Sequence, residues 1–276
     1  MSKSIPVVLT IAGSDSGGGA GIQTDLRTFN AFRVYGSSVV TAVTAQNPDE
    51  VRRIDLLPPG AVRCQLETLL ASLPVRYAKT GMLAGKAIIE CIAEVVQNCA
   101  LDLVVDPVMV STSGTQLQEE SAVSAMREKL FPLASWLTPN IPEAELICQK
   151  KLNSPDELAN SALQLYKQFN CNILLKSGHA ITSNMVTDIV CYQGKLFALS
   201  SPLVEISGNT AHGTGCTLSA AMAANFALGK SWQDTLITAK AFVYGALRES
   251  VQLSGTLFQM YPPEQDYCSQ ITLKEL

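Results

Sequence analysis

Short apolar runs that recur along the chain constrain its fold more than any other feature of the sequence. Several of these runs are apolar on both faces, which is typical of parallel strands covered by helices on both sides. Helical patterns separate the runs almost throughout. Six strands are predicted, over 7–13, 38–46, 77–82, 101–108, 135–140 and 172–178. This alternation predicts an α/β fold, a three-layer α/β/α sandwich with a mostly parallel central sheet, built as a single domain over residues 1–276.

One helix and one hairpin can be predicted from local signals. After Gly21, side chains at helical spacing continue to Arg33, and Gly36 is the expected end of that helix. Between 188 and 201, two strand-like runs flank Gln193-Gly194. That pattern departs from the strand–helix alternation and predicts an antiparallel hairpin at the edge of the sheet.

Two further helices carry start signals. Ser154 is expected to cap a helix that has Pro155 at its first position, with Glu157 completing a capping box. Ser231 and Asp234 stand in a similar arrangement at the start of the other helix. Both helices follow the fifth predicted strand and are expected to belong to the helical layers that cover the sheet.

Composition excludes several classes of partner. Of the 276 residues, 47% are hydrophobic and only 16% are charged, which is enough apolar material for a large core. The 20 basic and 24 acidic residues give a net charge of −4, without a basic block. This balance argues against nucleic acid or an anionic membrane as the main partner. No apolar run approaches the roughly 18 residues that a membrane-spanning helix needs.

The cysteines and histidines indicate the compartment and limit the metal chemistry. The eight cysteines include no C-x-x-C pair, and the short apolar start reads as a buried strand, not a signal peptide. Reduced thiols and a cytoplasmic location are therefore expected. The only two histidines are His179 and His212, so the sequence cannot form a histidine-rich metal site.

Two glycine-rich junctions lead into helices. The first, AGSDSGGGAG at 12–21, has neither the G-K-[ST] ending of a P-loop nor G-x-G-x-x-G spacing. The second, in 209–229, places Gly213 to Cys216 at the start of a helix of small residues. Backbone N–H groups there can converge on an anion, which suits the charge of a phosphoryl group in transfer. A glycine-dependent entry into a buried Ala-rich helix explains the second junction equally well.

Five motifs occur in an order that resembles a known family. They are AGSDSGGGAGIQTDL (12–26), DPVM (106–109), TPNIPEAEL (138–146), KSGH (176–179) and GTGC (213–216). Together they resemble the hydroxymethylpyrimidine/phosphomethylpyrimidine kinases of thiamine biosynthesis, in the ribokinase-like superfamily, over roughly residues 5–250. The resemblance implies transfer of the ATP γ-phosphoryl to 4-amino-5-hydroxymethyl-2-methylpyrimidine and then of a second phosphoryl to its monophosphate.

The resemblance also implies roles for the GTGC residues. Gly213, Thr214 and Gly215 match the anion hole around the transferring phosphoryl group, and Cys216 matches the position of the catalytic base. A helix N-terminus lowers the pKa of a thiol, so some thiolate is expected at Cys216. Without the family, a cysteine that opens such a helix is more often a small packed residue.

By the same resemblance, ATP and Mg²⁺ are the expected cofactors. Asp106, Asn140 and Lys176 match positions that organise the nucleotide phosphates, and Glu143 matches a position implicated in Mg²⁺ binding. A carboxylate completed by water and phosphate suits Mg²⁺. Taken alone, Glu143 is an acidic residue in a first helical turn, where the helix dipole favours it.

The pyrimidine site is expected in the N-terminal half. By resemblance, Gly13, Asp25, Gln46, Met82 and Val108 surround the substrate. Asp25 and Gln46 have the groups to pair with a ring nitrogen and an exocyclic amine, and Met82 can cover a ring face. The alternatives are an end-of-strand polar residue for Gln46 and ordinary core packing for Met82 and Val108.

Other functions stay open at this stage. A pyridoxal kinase is the nearest rival, because related vitamin B6 kinases share the GTGC turn, and a non-catalytic metabolite-binding protein is a second one. The relatives suggest a homodimer. KSGH stands where KGGH is more usual, NTAHGTGC has one residue more than the common form, and the tail from 255 to 268 matches no family ending.

Overall fold

Ten strands of the chain form one sheet, and a two-stranded ribbon lies late in the sequence. A computed structural model describes residues 4–109, 120–177, 184–205, 212–255 and 257–276. In chain order the strands are β1 (Val7–Asp15), β2 (Tyr35–Gln46), β3 (Val51–Leu56), β4 (Val75–Thr80), β5 (Asp102–Val105), β6 (Trp136–Leu137), β7 (Asn172–Leu175), β8 (Met185–Tyr192), β9 (Lys195–Pro202), β10 (Val251–Ser254), β11 (Leu257–Gln259) and β12 (Thr272–Glu275).

The centre of the large sheet is parallel and its two sides are antiparallel. The strand order is β12-β9-β8-β7-β6-β5-β4-β1-β2-β3. The six strands from β7 to β2 run parallel, whereas β3 on one side and β8, β9 and β12 on the other run antiparallel to their neighbours. The predicted mostly parallel sheet is therefore confirmed.

Helices cover both faces of this sheet. They are α1 (Gly21–Ala31), α2 (Pro59–Ser72), α3 (Lys86–Gln97), α4 (Glu120–Ala125), α5 (Ile141–Cys148), α6 (Pro155–Phe169), α7 (Thr214–Ala227) and α8 (Trp232–Arg248). Helices α2 to α6 pack with Leu9 and Leu103, and α1, α7 and α8 pack with Val8 and Val104. Because successive strand side chains point to opposite faces, each central strand supplies both layers of core. None of the helices in the described ranges has the length and apolarity needed to cross a bilayer.

The predicted end of the first helix is wrong. Helix α1 ends at Ala31, Arg33 adopts a left-handed φ of 57°, and Gly36 lies in β2. A Cβ atom at position 36 would lie 2.8 Å from Cδ2 of Phe29. Glycine is therefore needed at this position because α1 packs closely on β2, not because the helix ends there.

The predicted helix starts are confirmed, with one correction. Ser154 Oγ accepts a hydrogen bond from the backbone N–H of Glu157 at 3.3 Å. The Glu157 carboxylate accepts from the N–H of Asn153, not of Ser154, so the capping box is incomplete. Ser231 Oγ accepts from the N–H of Asp234 at 3.1 Å and donates to its carboxylate at 2.7 Å.

The predicted hairpin is confirmed, but it is not at the sheet edge. Strands β8 and β9 are joined at Gln193-Gly194, where φ is 50° and 79°. Strand β12, from the unassigned C-terminal tail, pairs outside β9 and forms the edge. At the opposite edge β3 was not predicted, because three of the six residues in its VRRIDL sequence are charged and the adjacent arginines interrupt the alternation of polar and apolar residues.

Candidate active site

The predicted site residues gather where the central strands end. Strands β5, β6 and β7 end before the predicted boundaries of 108, 140 and 178, and Asp106, Asn140 and Lys176 follow them. The sheet extends in both directions from β1, and α/β proteins bind ligands in the crevice beyond the carboxyl ends at such a switch point. Gly178 and His179 of the KSGH motif and residues 209–211 lie outside the described residues.

An ion pair between Asp106 and Lys176 lies at the centre of the site. Lys176 Nζ donates to Asp106 Oδ1 at 2.8 Å. Thr138 Oγ1 donates to the same oxygen at 3.3 Å, and Ser219 Oγ donates to Oδ2 at 3.2 Å. Burial acts to lower the pKa of Lys176, but the charges of Asp106 and Glu143 outweigh it, and the pKa is raised. Lys176 is therefore a cation at this position.

Asn140 and Glu143 form a complete capping box at the start of α5. The Glu143 N–H donates to Asn140 Oδ1 at 2.8 Å, and the Asn140 N–H donates to Glu143 Oε2 at 2.8 Å. Burial raises the pKa of Glu143 to about 7, and Asp106 adds to the rise while Lys176 opposes it. The box holds a carboxylate beside the ion pair, so the helix-dipole interpretation and a role in the site are compatible.

The GTGC turn lies against this ion pair. Gly213 has a left-handed φ of 83°, and a Cβ there would collide with the carbonyl oxygen of Gly19. A Cβ at Gly215 would lie 3.1 Å from Lys176 Nζ and 3.6 Å from Asp106 Oδ2. The first turn of α7 thus lies against the Asp106–Lys176 pair, and N–H groups at a helix N-terminus beside a cation can bind an anion.

The expected thiolate at Cys216 is wrong. Burial raises the pKa of the Cys216 thiol to about 11; Lys79 opposes this rise, and the carboxylates of Asp25 and Asp106 add to it. The helix N-terminus does not overcome burial next to two carboxylates. Cys216 is a protonated thiol at neutral pH in the unliganded protein.

The first glycine loop packs against the GTGC turn. Asp15 holds the loop by accepting from the N–H groups of Gly17 at 2.9 Å and Ala20 at 2.8 Å. His212 Nε2 lies 3.5 Å from Asp15 Oδ2 and 3.2 Å from Gln46 Nε2. Burial acts to raise the pKa of Asp15, but His212 and the two N–H groups lower it overall. The first glycine loop therefore lies directly beside the GTGC turn, with Gly19 next to Gly213.

Four of the five residues predicted for the pyrimidine site lie at or just beyond the carboxyl ends of β1, β2, β4 and β5. A Cβ at Gly13 would lie 2.5 Å from Cε of Met82, so the two residues are in close contact. Met82 and Val108 are half-buried, and only Pro107 separates Val108 from Asp106 along the chain. Gln46 is half-buried at the end of β2 and reaches the site through His212.

The fifth residue, Asp25, does not reach the crevice surface. It is fully buried, and Lys79 Nζ lies 2.9 Å from each of its carboxylate oxygens. Thr10 Oγ1 also donates to Oδ2 at 2.6 Å. The structure thus gives Asp25 a protein cation as its partner, where the sequence suggested a substrate ring.

Lys79 was not predicted as a site residue. It lies in β4 between β1 and β5, opposite Thr10 and Val104. The available signal was a lysine in an otherwise uncharged stretch, YAKTGM, at a predicted buried strand. Such a lysine needs a buried partner.

A cleft opens on the other side of the ion pair. Its volume is about 140 Å³, and it lies between the β8–β9 hairpin and helices α7 and α8. Lys240 Nζ donates to Asp188 Oδ2 at 2.7 Å in its wall, and Lys176 is at one end. Most other lining residues are apolar, among them Val186, Pro202, Leu203, Val204, Leu218 and Val243. The cleft suits a flat apolar group attached to an anion.

Comparison with known proteins identifies the family. Residues 15–260 match the family described as phosphomethylpyrimidine kinase. Hydroxymethylpyrimidine/phosphomethylpyrimidine kinases of Haemophilus influenzae and Synechococcus elongatus are 40% and 39% identical to this chain. These matches cover 91% and 94% of this chain and 94% and 98% of the relatives. A thiamine biosynthesis bifunctional protein of Geobacter sulfurreducens is 42% identical over 87% of this chain, which spans 49% of that protein.

Solved structures agree with this assignment. The pyridoxal kinase of Staphylococcus aureus in complex with pyridoxal has a TM-score of 0.88 and 30% identity, covering 99% of this chain and 100% of the other. The phosphomethylpyrimidine kinase of Clostridium difficile has a TM-score of 0.77 and 36% identity, covering 87% and 98%. The extent of these matches, together with the geometry of the site, shows that this chain is a kinase and belongs to the phosphomethylpyrimidine kinase family.

Proposed function

We propose that this chain transfers the γ-phosphoryl of ATP to 4-amino-5-hydroxymethyl-2-methylpyrimidine and then a second phosphoryl to the monophosphate, in thiamine biosynthesis. The observation that carries the proposal is the position of the Asp106–Lys176 ion pair against Gly215 in the GTGC turn. A cation, the N–H groups of a helix N-terminus and a carboxylate meet at one end of the cleft. Phosphoryl transfer relies mainly on such positioning and electrostatic stabilisation.

ATP is assigned to the cleft between the β8–β9 hairpin and α8. The apolar residues there suit the adenine ring, and Lys176 at the end of the cleft suits the phosphates. A pyridoxal kinase of the same fold has been solved with the ATP analogue AMP-PCP. The Lys240–Asp188 pair stiffens the wall, because Asp188 also accepts from the N–H of Ser177 at 3.0 Å.

The acceptor is assigned to the opposite side, between the first glycine loop and Met82. Gly13 leaves room for the Met82 side chain, which can cover a ring face, and Gln46 supplies an amide for ring polar groups. In this proposal the hydroxymethyl group of the ring faces the GTGC turn. In-line transfer then moves the phosphoryl group from the Lys176 side to this oxygen, across the N–H groups of 213–216.

The site fits Mg²⁺ through Glu143. This carboxylate lies beside Asp106 and Lys176 with 3% of its surface exposed, and burial raises its pKa although Lys176 opposes the rise. Mg²⁺ usually takes one or two carboxylates together with water and phosphate oxygens. When bound, it would neutralise charge on the nucleotide phosphates. Asn140 holds Glu143 in place through the capping box.

Cys216 is proposed to accept the proton of the hydroxymethyl group. With a pKa of about 11, the thiolate is scarce at neutral pH but is a strong base. The second step needs no such base, because a phosphate monoester has already lost its proton near neutral pH (second pKa about 6). The first transfer therefore needs Cys216 as a base, and the second does not.

One assay tests the activity against its rival. ADP release is measured with the hydroxymethylpyrimidine, its monophosphate and pyridoxal as acceptors under identical conditions. We expect kcat/KM to be highest for the two pyrimidines. The similarity to Staphylococcus aureus pyridoxal kinase makes pyridoxal the second candidate. Turnover with pyridoxal alone would replace the proposed function, and binding of a pyrimidine without any ATP turnover would favour a metabolite-binding protein.

Two further parts of the proposal concern the cellular compartment and the oligomeric state. All eight cysteines are free thiols, which supports a reducing compartment such as the cytoplasm. A homodimer is proposed, with sedimentation velocity at micromolar concentration as its test. A sedimentation coefficient that fits a single chain of 29.5 kDa would contradict it.

A further inference from the structure

Lys79 and Asp25 form an ion pair that is fully buried below the site. Each carboxylate oxygen of Asp25 lies 2.9 Å from Lys79 Nζ, and Thr10 Oγ1 adds a third hydrogen bond. Both side chains are 0% exposed. Burying two charges is costly, and an apolar pair of similar volume is often as stable or more so. Stability alone therefore gives this pair little reason to exist.

The ammonium group lies at the end of the sheet where the reaction is assigned. A Cβ at Gly81, directly after β4, would lie 3.0 Å from Lys79 Nζ. Besides Asp25, the charges that act on Lys79 are those of Cys216 and Asp106. Among the described residues, the Lys79 ammonium makes no hydrogen bond or ion pair beyond those to Asp25. Lys79 is paired with Val104, which packs with α7 and α8, and α7 contacts β4, so Asp25 fixes a cation on the face of the sheet that α7 covers.

We propose that Lys79 is a positioning residue for phosphoryl transfer, held by Asp25 so that its ammonium adds positive potential to the first turn of α7. The inference rests on the proposed function and assigns Asp25 an indirect role, through Lys79, in place of direct contact with the pyrimidine. The N–H groups of 213–216 and the Lys79 cation then act on the same developing charge. Lys79 itself does not touch the substrate.

The Cys216 thiol reports this potential without any turnover. Charged groups face it from four elements: Lys79 in β4, Asp25 in α1, Asp106 after β5 and Lys176 after β7. The Lys79 cation favours the thiolate, whereas Asp25 and Asp106 disfavour it. Lys79 has the larger influence of the pair, so removal of Lys79 and Asp25 together should make Cys216 less reactive.

The first experiment measures iodoacetamide alkylation of Cys216 at pH 8.5 by peptide mass spectrometry. The two proteins compared are the parent and Asp25→Asn/Lys79→Met, in which the buried pair is removed without leaving an unpaired charge. We expect faster alkylation with the cation present, by about tenfold for each unit of pKa difference. The exposed Cys64 provides an internal standard, because its rate should not change. Equal Cys216 rates in the two proteins would overturn the inference.

The second experiment separates this role from a purely structural one. With the pyrimidine alcohol as acceptor, Lys79→Arg should retain much of the kcat that Lys79→Met loses, because arginine keeps the cation. Lys79→Met and the double variant should both lose kcat, with the KM for ATP unchanged. A structural ion pair predicts the opposite, since the double variant leaves no unpaired charge and would recover activity.

The remaining outcomes are also decisive. If Asp25→Asn raises the KM for the pyrimidine and leaves Cys216 alkylation unchanged, Asp25 contacts the substrate directly and the inference is overturned. If Lys79→Met alone does not fold in a urea titration, alkylation of the parent and of the double variant, which leaves no unpaired buried charge, still decides the question. If the parent shows no pyrimidine-dependent turnover, the proposed function fails, while the alkylation experiment still tests the potential at α7.

Discussion

Replacing Gly213 by alanine tests whether the GTGC turn needs its contact with the first glycine loop. Gly213 precedes α7 with a φ of 83°, and Gly229 follows the same helix with a φ of 78°. A Cβ at Gly229 has no atom within 4 Å, whereas a Cβ at Gly213 would collide with the carbonyl oxygen of Gly19. Gly229→Ala is therefore a matched control that carries the same backbone strain without the collision.

The expected magnitudes follow from these two environments. Left-handed backbone costs an L-residue roughly 1–2 kcal/mol, partly offset by the lower entropy of the unfolded chain, so Gly229→Ala should lower the free energy of unfolding by about 1 kcal/mol. The Cβ at 213 would come about 1 Å closer to Gly19 than the 3.0 Å that real Cβ atoms respect, so the loop must move by about that much. A displacement of this size next to the reacting groups can cost about 10²-fold in rate.

The assay is kcat for ADP release at saturating ATP and pyrimidine, with urea unfolding of each protein in parallel. We expect Gly213→Ala to lose about 10²-fold in kcat, and Gly229→Ala to retain the parent kcat despite its loss of stability. The reasoning is refuted if the two alanine variants have the same kcat. It is also refuted if Gly213→Ala loses stability without losing kcat, because the loop contact would then serve the fold alone.

Four further predictions concern the groups around this turn. Cys216→Ala should slow the first phosphorylation more than the second in single-turnover experiments, because only the alcohol needs a base; equal losses would remove Cys216 as the base. In the parent, the first step should accelerate between pH 7 and 9 by up to about tenfold per pH unit, since the thiolate fraction rises toward a pKa of about 11, and a flat profile would contradict this. Lys176→Met should weaken ATP binding in calorimetry by about 1.5–3 kcal/mol, the usual contribution of a charged hydrogen bond, and leave pyrimidine binding unchanged. Glu143→Gln can keep the capping box but should need more Mg²⁺ for half-maximal activity; an unchanged Mg²⁺ requirement would exclude Glu143 as a ligand.

The central part of the fold was predictable because each element carries its own local signal. Strands β1, β2, β4, β5 and β7 coincide with the apolar runs, and α6 and α8 begin at the predicted serine caps. The edges of the sheet were not predictable in the same way. Strand β12 pairs with β9 across more than 70 residues of intervening sequence, so nothing near it indicates a partner.

The residues of the candidate site also differ in whether local sequence signals could predict their positions. Asp106, Asn140 and Lys176 could be placed together because the carboxyl ends of parallel strands share one edge. The Glu143 box could be recognised from N-x-x-E next to a helix start. The partner of Asp25 could not be predicted, since Lys79 lies 54 residues away and reaches it only after β4 and α1 have packed.

By itself, the sequence determined the layered architecture, the motif order that marks the family, and which residue types stand at the ends of the strands. These properties depend on the periodicity of hydrophobic residues and on local capping and turn residues, which can be identified from neighbouring positions in the sequence. Tertiary packing determined the electrostatic environment of the site: the raised pKa of the Cys216 thiol and the ion pair between Lys79 and Asp25. A charge state depends on burial and on charges from distant segments, and these are defined only once the sheet and its helices have come together.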